Sequence, residues 1–317
     1  MHPDKIPIGI STCLLGENVR YNGGNALDRF LRDTLGRYVH YVPVCPEVEC
    51  GMGVPRETLR LTGNPQKPRL MTTKTNIDHT QRMEAWAYRR VAALQAEDIC
   101  GFIFKSDSPS SGMERVKVYD DKGMPRKIGV GIFARIFMEY FPLTPVEEDG
   151  RLHDPLLREN FIERIFTYRR YREAIRKKPL IRSLVEFHTK NKLLLMAHSP
   201  KYLKQMGALV AHAGEMPAAD IVKQYEQILM AAMALKPSPA KHTNVLHHIT
   251  GYFKKNLSAD EKQELLDVID QYRRELIPLI VPVTLLKHYV RKYDEPYLKE
   301  QVYLNPHPRE LQLRNHV

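Results

Sequence analysis

Three short segments hold the residue types that could do chemistry: Ser11-Thr12-Cys13, Cys45-Pro46-Glu47 and Ser108-Pro109-Ser110-Ser111-Gly112. Together they offer two thiols, a carboxylate and several hydroxyls. Paired thiols can hold a metal ion or a cluster. A carboxylate fixed beside a Cys-Pro turn suits proton transfer, so Glu47 reads as a general acid/base. Ser108, Ser110 and Ser111 offer three hydroxyls and turn geometry at the end of an apolar run, the plainer reading being a helix N-cap. The pattern argues against serine nucleophilic catalysis: no histidine is placed for a triad and there is no G-x-S-x-G elbow.

These segments can act together only if the fold gathers them. Each directly follows a short apolar run, residues 6–10, 41–44 and 99–104, rich in Ile, Val and Phe. Such runs read as strands covered on both faces, which implies a mostly parallel sheet. The carboxyl ends of neighbouring parallel strands share one rim, and ligands bind there. Taken singly, Cys13 or Cys45 would be ordinary packing cysteines. Taken together beside Glu47 they form a candidate metal or cluster site. Cys50, with four residues between it and Cys45, reads as packed, and Cys100 as core. Arg56 either anchors a base carbonyl or phosphate, or braces its loop.

The first 140 residues alternate strand and helix signals. The loop Gly16-Glu17-Asn18-Val19-Arg20-Tyr21-Asn22-Gly23-Gly24 reads as facing substrate. Asp78 with Gln81 resembles a capping box opening a helix through about Gln95, with Met83, Ala87, Val91 and Leu94 as its buried stripe. Residues 143–150, with Pro, Gly and three acids, read as the linker. Beyond them helical patterns dominate. Ser258-Ala259-Asp260-Glu261 is a capping box, and Pro278 and Pro282 divide the apolar run 276–286. The expected fold is an α/β amino-terminal domain with a mostly parallel sheet (1–145), followed by an all-α carboxy-terminal domain (155–317).

No apolar stretch approaches the ~18 residues of a membrane span. The start Met1-His2-Pro3-Asp4-Lys5 lacks a secretory pattern, so the expectation is a cytoplasmic protein with no membrane partner. Four cysteines in 317 residues argue for packing, metal or catalysis over a disulfide framework. The charge is lopsided: 20 Lys and Arg against 19 Asp and Glu in residues 1–150, but 28 against 18 in residues 151–317, for a total of +11. A basic domain beside a neutral one is the footprint of a polyanion-binding module. The RNA contacts expected from sequence are Arg169, Arg170, Arg172, Arg176, Lys177 and Lys178, interleaved with Phe166, Tyr168 and Tyr171 for stacking, together with Lys254 and Lys255 in a second basic and aromatic cluster.

Ser11-Thr12-Cys13-Leu14-Leu15-Gly16 with Arg20-Tyr21, then Val44-Cys45-Pro46-Glu47, then Ser108-Pro109-Ser110-x-Gly112, resemble the motifs of the iron–sulfur desulfidases that act on thiouracil. The likeness covers residues 5–140. Asn244 to Lys255, Ile277-Pro278-Leu279-Ile280-Val281-Pro282 and Tyr303-Leu304-Asn305-Pro306-His307-Pro308 resemble the YbgA-like helical domain. A fusion of the two is similar to the bacterial desulfidases of 4-thiouridine in tRNA. The resemblance implies a [4Fe-4S] cluster on three cysteines, two of which match Cys13 and Cys45. The third falls at Ser111, where the family motif has cysteine. A hydroxyl is a poor iron ligand beside thiolates. Ser111 therefore reads as an engineered replacement, the alternative being a natural variant whose cluster is weak or absent, and the chain as written is expected to be nearly inactive. By the same resemblance, Glu47 serves water attack on the thiocarbonyl carbon, with Ser108 or Ser110 assisting, and the partner is tRNA containing 4-thiouridine. Two other functions compete: desulfurisation of free thiolated bases, and non-catalytic RNA binding with zinc at Cys13 and Cys45.

Overall fold

The computed structural model describes residues 5–316; the rest of the amino-terminal stretch read above lies outside them. The chain divides into two compact units between Asp154 and Pro155.

The first unit is α/β. Strands β1 (Ile6–Ser11) and β2 (Val39–Val44) lie at the start of the chain, followed by the short helix α1 (Pro46–Glu49). Strands β3 (Leu59–Thr62) and β4 (Arg69–Thr72) lead into helix α2 (Thr80–Ala96). Then come β5 (Phe102–Phe104), β6 (Val116–Tyr119), β7 (Pro125–Gly129), helix α3 (Ile132–Tyr140) and β8 (Val146–Glu148). One sheet runs β2-β1-β5-β8 and is parallel throughout, with Ile8 opposite Tyr41, Gly9 opposite Phe102 and Phe102 opposite Val146. A side chain at Gly9 would run into the Phe102 ring, so glycine lets β1 and β5 approach. Helices α2 and α3 cover an aromatic core: Phe102 stacks on Phe104 (centroids 4.4 Å), Phe137 lies 4.7 Å from Phe102, and Trp86 lies 5.3 Å from Phe133. Each buried ring contributes roughly 1.5–3 kcal/mol through burial alone.

Two local expectations are corrected. Residues 143–150 are no linker: β8 completes the parallel sheet. The helix expected from Asp78 starts at Thr80 instead, and Asp78 accepts from the Thr80 backbone N–H (2.8 Å) and hydroxyl (2.6 Å) without a reciprocal capping box. The stripe Met83, Ala87, Val91 and Leu94 is buried as read. A second sheet, β4-β3-β6-β7, adds antiparallel pairs that the sequence reading did not anticipate.

The second unit is helical: α4 (Pro155–Arg176), α5 (Leu180–His198), α6 (Pro200–Ala211), α7 (Ala218–Ala234), α8 (Pro239–Thr250), α9 (Ala259–Arg273), α10 (Ile280–Lys292) and α11 (Pro296–Lys299). The Ser258/Glu261 capping box is present, and α10 begins between the two prolines. No helix among the described residues is long and apolar enough to cross a membrane.

Candidate active site

The three segments meet at the carboxyl edge of the parallel sheet. Cys13 lies in a tight turn just beyond β1, closed by Gly16 at φ +98°. Cys45 lies between β2 and α1, and its N–H donates to the Glu49 carboxylate (2.9 Å). The loop after β5 brings Ser108, Pro109 and Ser111. All of these, with Glu47, line one cavity of about 390 Å³. A cavity of this size suits a small ligand. Cys13 and Cys45 sit in its wall at 9% and 8% exposure, and Ser111 at 3%.

Glu47 is held from several sides. The Ser110 hydroxyl donates to its carboxylate, the Cys45 thiol lies 3.6 Å from it, and the Arg56 guanidinium is 3.7 Å away. Ser108 and Ser110 hydroxyls are 3.0 Å apart, so a hydrogen-bonded chain runs from the carboxylate to Ser108. Ser108 Oγ also accepts from the Ser111 N–H (3.1 Å). Ser110 does not line the cavity itself; it reaches it through Glu47. Of the two roles read for Arg56, the structure shows the loop brace. Arg56 lines the cavity, and it pins the loop of residues 16–24 by donating to the Val19 carbonyl (3.0 Å) while its N–H meets Tyr21 O (2.8 Å). Arg20 and Tyr21 of that loop also face the cavity.

The serine loop is fixed by α3. The Phe133 N–H donates to Ser110 O (2.9 Å), and that of Ile132 to Pro109 O (3.2 Å), which satisfies amides at the helix start. Gly131 makes the close approach possible, since a Cβ there would lie 2.5 Å from the Ser110 carbonyl carbon.

Burial pushes the Cys13 thiol up to about 11 against the pull of Lys105, and the Cys45 thiol up to about 12, with Glu47 adding to both. Both are neutral thiols near pH 7, poorly suited to act alone as nucleophiles. Coordination by a cation is what would ionise them. Cys50 is buried outside the cavity with its thiol on Glu47 O (3.3 Å), and Cys100 is core.

Sequence reasoning missed Lys105 and Asp149. Lys105 lines the cavity and pairs with Asp149 (2.9 Å), whose carboxylate also accepts from the Ser106 N–H (2.7 Å). Against the burial that would raise it, these hydrogen bonds hold the Asp149 carboxyl below its ordinary value. The signal was available: Lys105 directly follows β5, the same rim position that Ser11 and Cys45 hold near β1 and β2.

In the helical unit the basic run is reassigned in part. Tyr168 and Tyr171 are buried, their hydroxyls on Glu226 (3.0 Å) and the Val222 carbonyl (2.7 Å), so they offer no stacking face. Arg170 is committed to the Pro306 carbonyl (2.8 Å) and Thr167 (2.9 Å), a brace where an RNA contact was expected. Arg169 pairs with Glu173, and Arg172 lies over the Tyr168 ring. Arg176, Lys177, Lys178, Lys254 and Lys255 lie on the surface. Deeper in, Glu159, Glu163 and His307 bring ligand atoms within 4.8 Å of one another. The Arg314 guanidinium already supplies the cation there, at 3.3 Å from Glu159 and 2.7 Å from Glu163.

Residues 8–149 match the family described as 2-thiouracil desulfurase. With the parallel sheet and its thiol-bearing rim, the amino-terminal unit is a thiouracil desulfurase-like domain. Residues 192–308 match DUF1722, described as a protein of unknown function. The chain is 34% identical over 134 residues to the protein YbgA of Escherichia coli (strain K12), covering 42% of this chain and 79% of that protein, and it belongs to the YbgA family. A solved structure of a [4Fe-4S]-dependent thiouracil desulfidase, TudS, aligns at 26% identity and a TM-score of 0.39, over 47% of this chain and 95% of that one.

Proposed function

We propose that this protein belongs to a class of desulfidases that convert 4-thiouridine in tRNA to uridine. The observation that carries the reading is the convergence of Cys13, Cys45 and Ser111 on one cavity with Glu47, in a domain of the thiouracil desulfurase family. In the reaction the carbon–sulfur double bond is replaced by a carbon–oxygen double bond: water supplies the oxygen, and sulfur leaves as hydrosulfide with a proton. No electrons are gained or lost. The basic helical unit supports a polyanionic substrate over a free base.

A [4Fe-4S] cluster, as named for TudS, is held by thiolates. The donors here are two thiols and a hydroxyl, which is not a three-thiolate set. The group does not fit the chain as it stands. What the residues themselves supply is clear in chemical terms. Glu47 takes a proton from attacking water and returns one to the departing sulfur. Ser110 and Ser108 hold that carboxylate and extend a proton path. Arg20, Arg56 and Lys105 set a positive rim that orients an electron-rich oxygen or phosphate.

The test compares the chain with Ser111→Cys after anaerobic reconstitution with iron and sulfide. The substrate is tRNA carrying 4-thiouridine, and uridine formation is followed by nucleoside analysis. Turnover by Ser111→Cys, with little by the unaltered chain, is expected. No conversion by either sinks the proposal. Conversion of free thiouracil but not of tRNA favours the second reading, desulfurisation of free bases, which a cavity of about 390 Å³ also admits.

A further inference from the structure

The carboxy-terminal unit holds a second feature that the desulfidase site does not use. A crevice of about 600 Å³ opens between α10 and the segment that follows Leu304. Its lining includes Lys287, His288, Arg291, His307, Arg309 and Arg314, and not one Asp or Glu. Arg314 is paired with Glu159 and Glu163 behind the lining, which leaves Lys287, Arg291 and Arg309 as cations around an opening without an acid, a costly arrangement unless something anionic visits it.

Pairing habits elsewhere in this unit sharpen the contrast. Lys190 is bridged to Glu186, Arg273 to Asp270, Lys292 to Glu261, and Lys299 to Asp294. Among the described residues no carboxylate bridges Lys287, Arg291 or Arg309. Lys287 rests on the Asn305 side-chain oxygen, a neutral acceptor. Burial, then the charges of Arg309 and Arg314, push the Lys287 ammonium below its ordinary value. Lys287 thus sits beside Arg309 and Arg314 with only a neutral acceptor of its own.

Placement favours an extended anion over a compact one. Lys287 and Arg291 are one turn apart and share a face of α10. Arg309 lies across the crevice on the turn Arg309–Leu311. Cations on two walls can meet successive phosphates of one strand. Asn305, Gln312 and Asn315 add neutral donors and acceptors along the opening.

We propose that this crevice binds the phosphodiester backbone of RNA, with Lys287, Arg291 and Arg309 as its phosphate contacts. The proposal rests on the tRNA reading above for its choice of RNA. It also moves the contact surface away from residues 169–178, where Arg170 and the tyrosines are structural.

The experiment uses the full chain and an unmodified tRNA transcript as probe, with fluorescence anisotropy titrations at several salt concentrations. The variants are Lys287→Gln/Arg291→Gln/Arg309→Gln and, for comparison, Arg176→Gln/Lys177→Gln/Lys178→Gln, each checked by thermal melting. The crevice variant is expected to bind at least about tenfold more weakly near 0.1 M salt. Its slope of log affinity against log salt should be smaller by about two, since each lost phosphate contact removes roughly 0.7–0.9. If the triple variant melts early, the single Arg309→Gln, at an exposed residue, should still lower the slope by about one. Unchanged binding by the crevice variant, with the native chain binding RNA, overturns the inference alone. Loss confined to the 176–178 variant does the same. Absence of RNA binding by the native chain overturns the tRNA reading as well. Inorganic phosphate protecting the crevice while RNA does not bind would assign it to a small anion and overturn the RNA proposal.

Discussion

Replacing Ser111 by cysteine is the perturbation with the sharpest consequence. Ser111 is 3% exposed, faces a cavity, and is held through its backbone N–H on Ser108 Oγ (3.1 Å). A sulfur at that position keeps the backbone bond and points into existing space, so stability should change by less than about 1 kcal/mol. Iron uptake should change far more. At pH 8 a thiol at about 11 is ionised in about one molecule in a thousand, and one at about 12 in about one in ten thousand. Metal binding must therefore displace a proton from each thiol. Two thiols make the affinity rise about a hundredfold per pH unit below those values; a third thiol makes it about a thousandfold. The assay is iron and sulfide per chain after anaerobic reconstitution across pH 6.5 to 8.5, read with visible absorbance. Ser111→Cys should load with the steeper slope and the unaltered chain should load little. Equal loading with equal slopes would refute the reasoning, because Ser111 would then not be a ligand position.

Glu47→Gln in the reconstituted Ser111→Cys protein should lower kcat by about 10²–10⁴ with its melting temperature kept, since the amide can still meet Ser110; steady-state kinetics with tRNA checks it. Gly131→Ala should displace the serine loop, because the new methyl would meet the Ser110 carbonyl, and the expected cost is about 1–3 kcal/mol with loss of turnover. Arg314→Met strands the Glu163 carboxylate in the core, at about 3–5 kcal/mol, which lowers the melting temperature by roughly 6–20 °C by calorimetry. Burial and the neighbouring Glu163 raise the Glu159 carboxyl to about 8. Its contribution to stability is therefore present below about pH 4.5 and lost as pH rises through 8, and Glu159→Gln should flatten the upper part of that profile in urea titrations.

The inner strands β1 and β5 of the parallel sheet were legible because they are buried almost throughout and so read as unbroken apolar runs. The second sheet was not. Leu59-Arg60-Leu61-Thr62 is short with a charge inside it, Pro125-Arg126-Lys127-Ile128 is exposed and charged on both faces, and their pairing is set by distant partners. Strand β8 was misread for the same reason: Glu147 and Glu148 suggest a loop, yet Arg151 bonds the first (2.6 Å) and the Met113 N–H the second (2.8 Å). The rim residues Cys13, Cys45, Glu47 and Ser111 were legible as a group because sheet topology dictates where strand ends lie. Arg56 was seen, but its brace on the Val19 carbonyl joins residues far apart in the chain and was not legible. The aromatic and basic run on α4 shows how composition misleads. Phe161, Ile165, Tyr168 and Tyr171 recur at helical spacing, so the tyrosines belong to a core stripe and not to a stacking platform.

The same distinction governs what the excess of positive charge means. Residues 151–317 hold 28 basic against 18 acidic side chains, and that sum treats every cation alike. Arg314 is buried between two glutamates, and Arg170 is spent on a carbonyl and a hydroxyl. Neither can release counterions when RNA approaches. Lys287, Arg291 and Arg309 can, because no carboxylate bridges them among the described residues. A net charge therefore indicates that a polyanion is welcome, while the unpaired cations decide where it lies. Removing Arg314 should cost stability, whereas removing Arg309 should cost RNA affinity and salt dependence. Two arginines of the same crevice, differing only in their partners, are thus expected to fail in different assays.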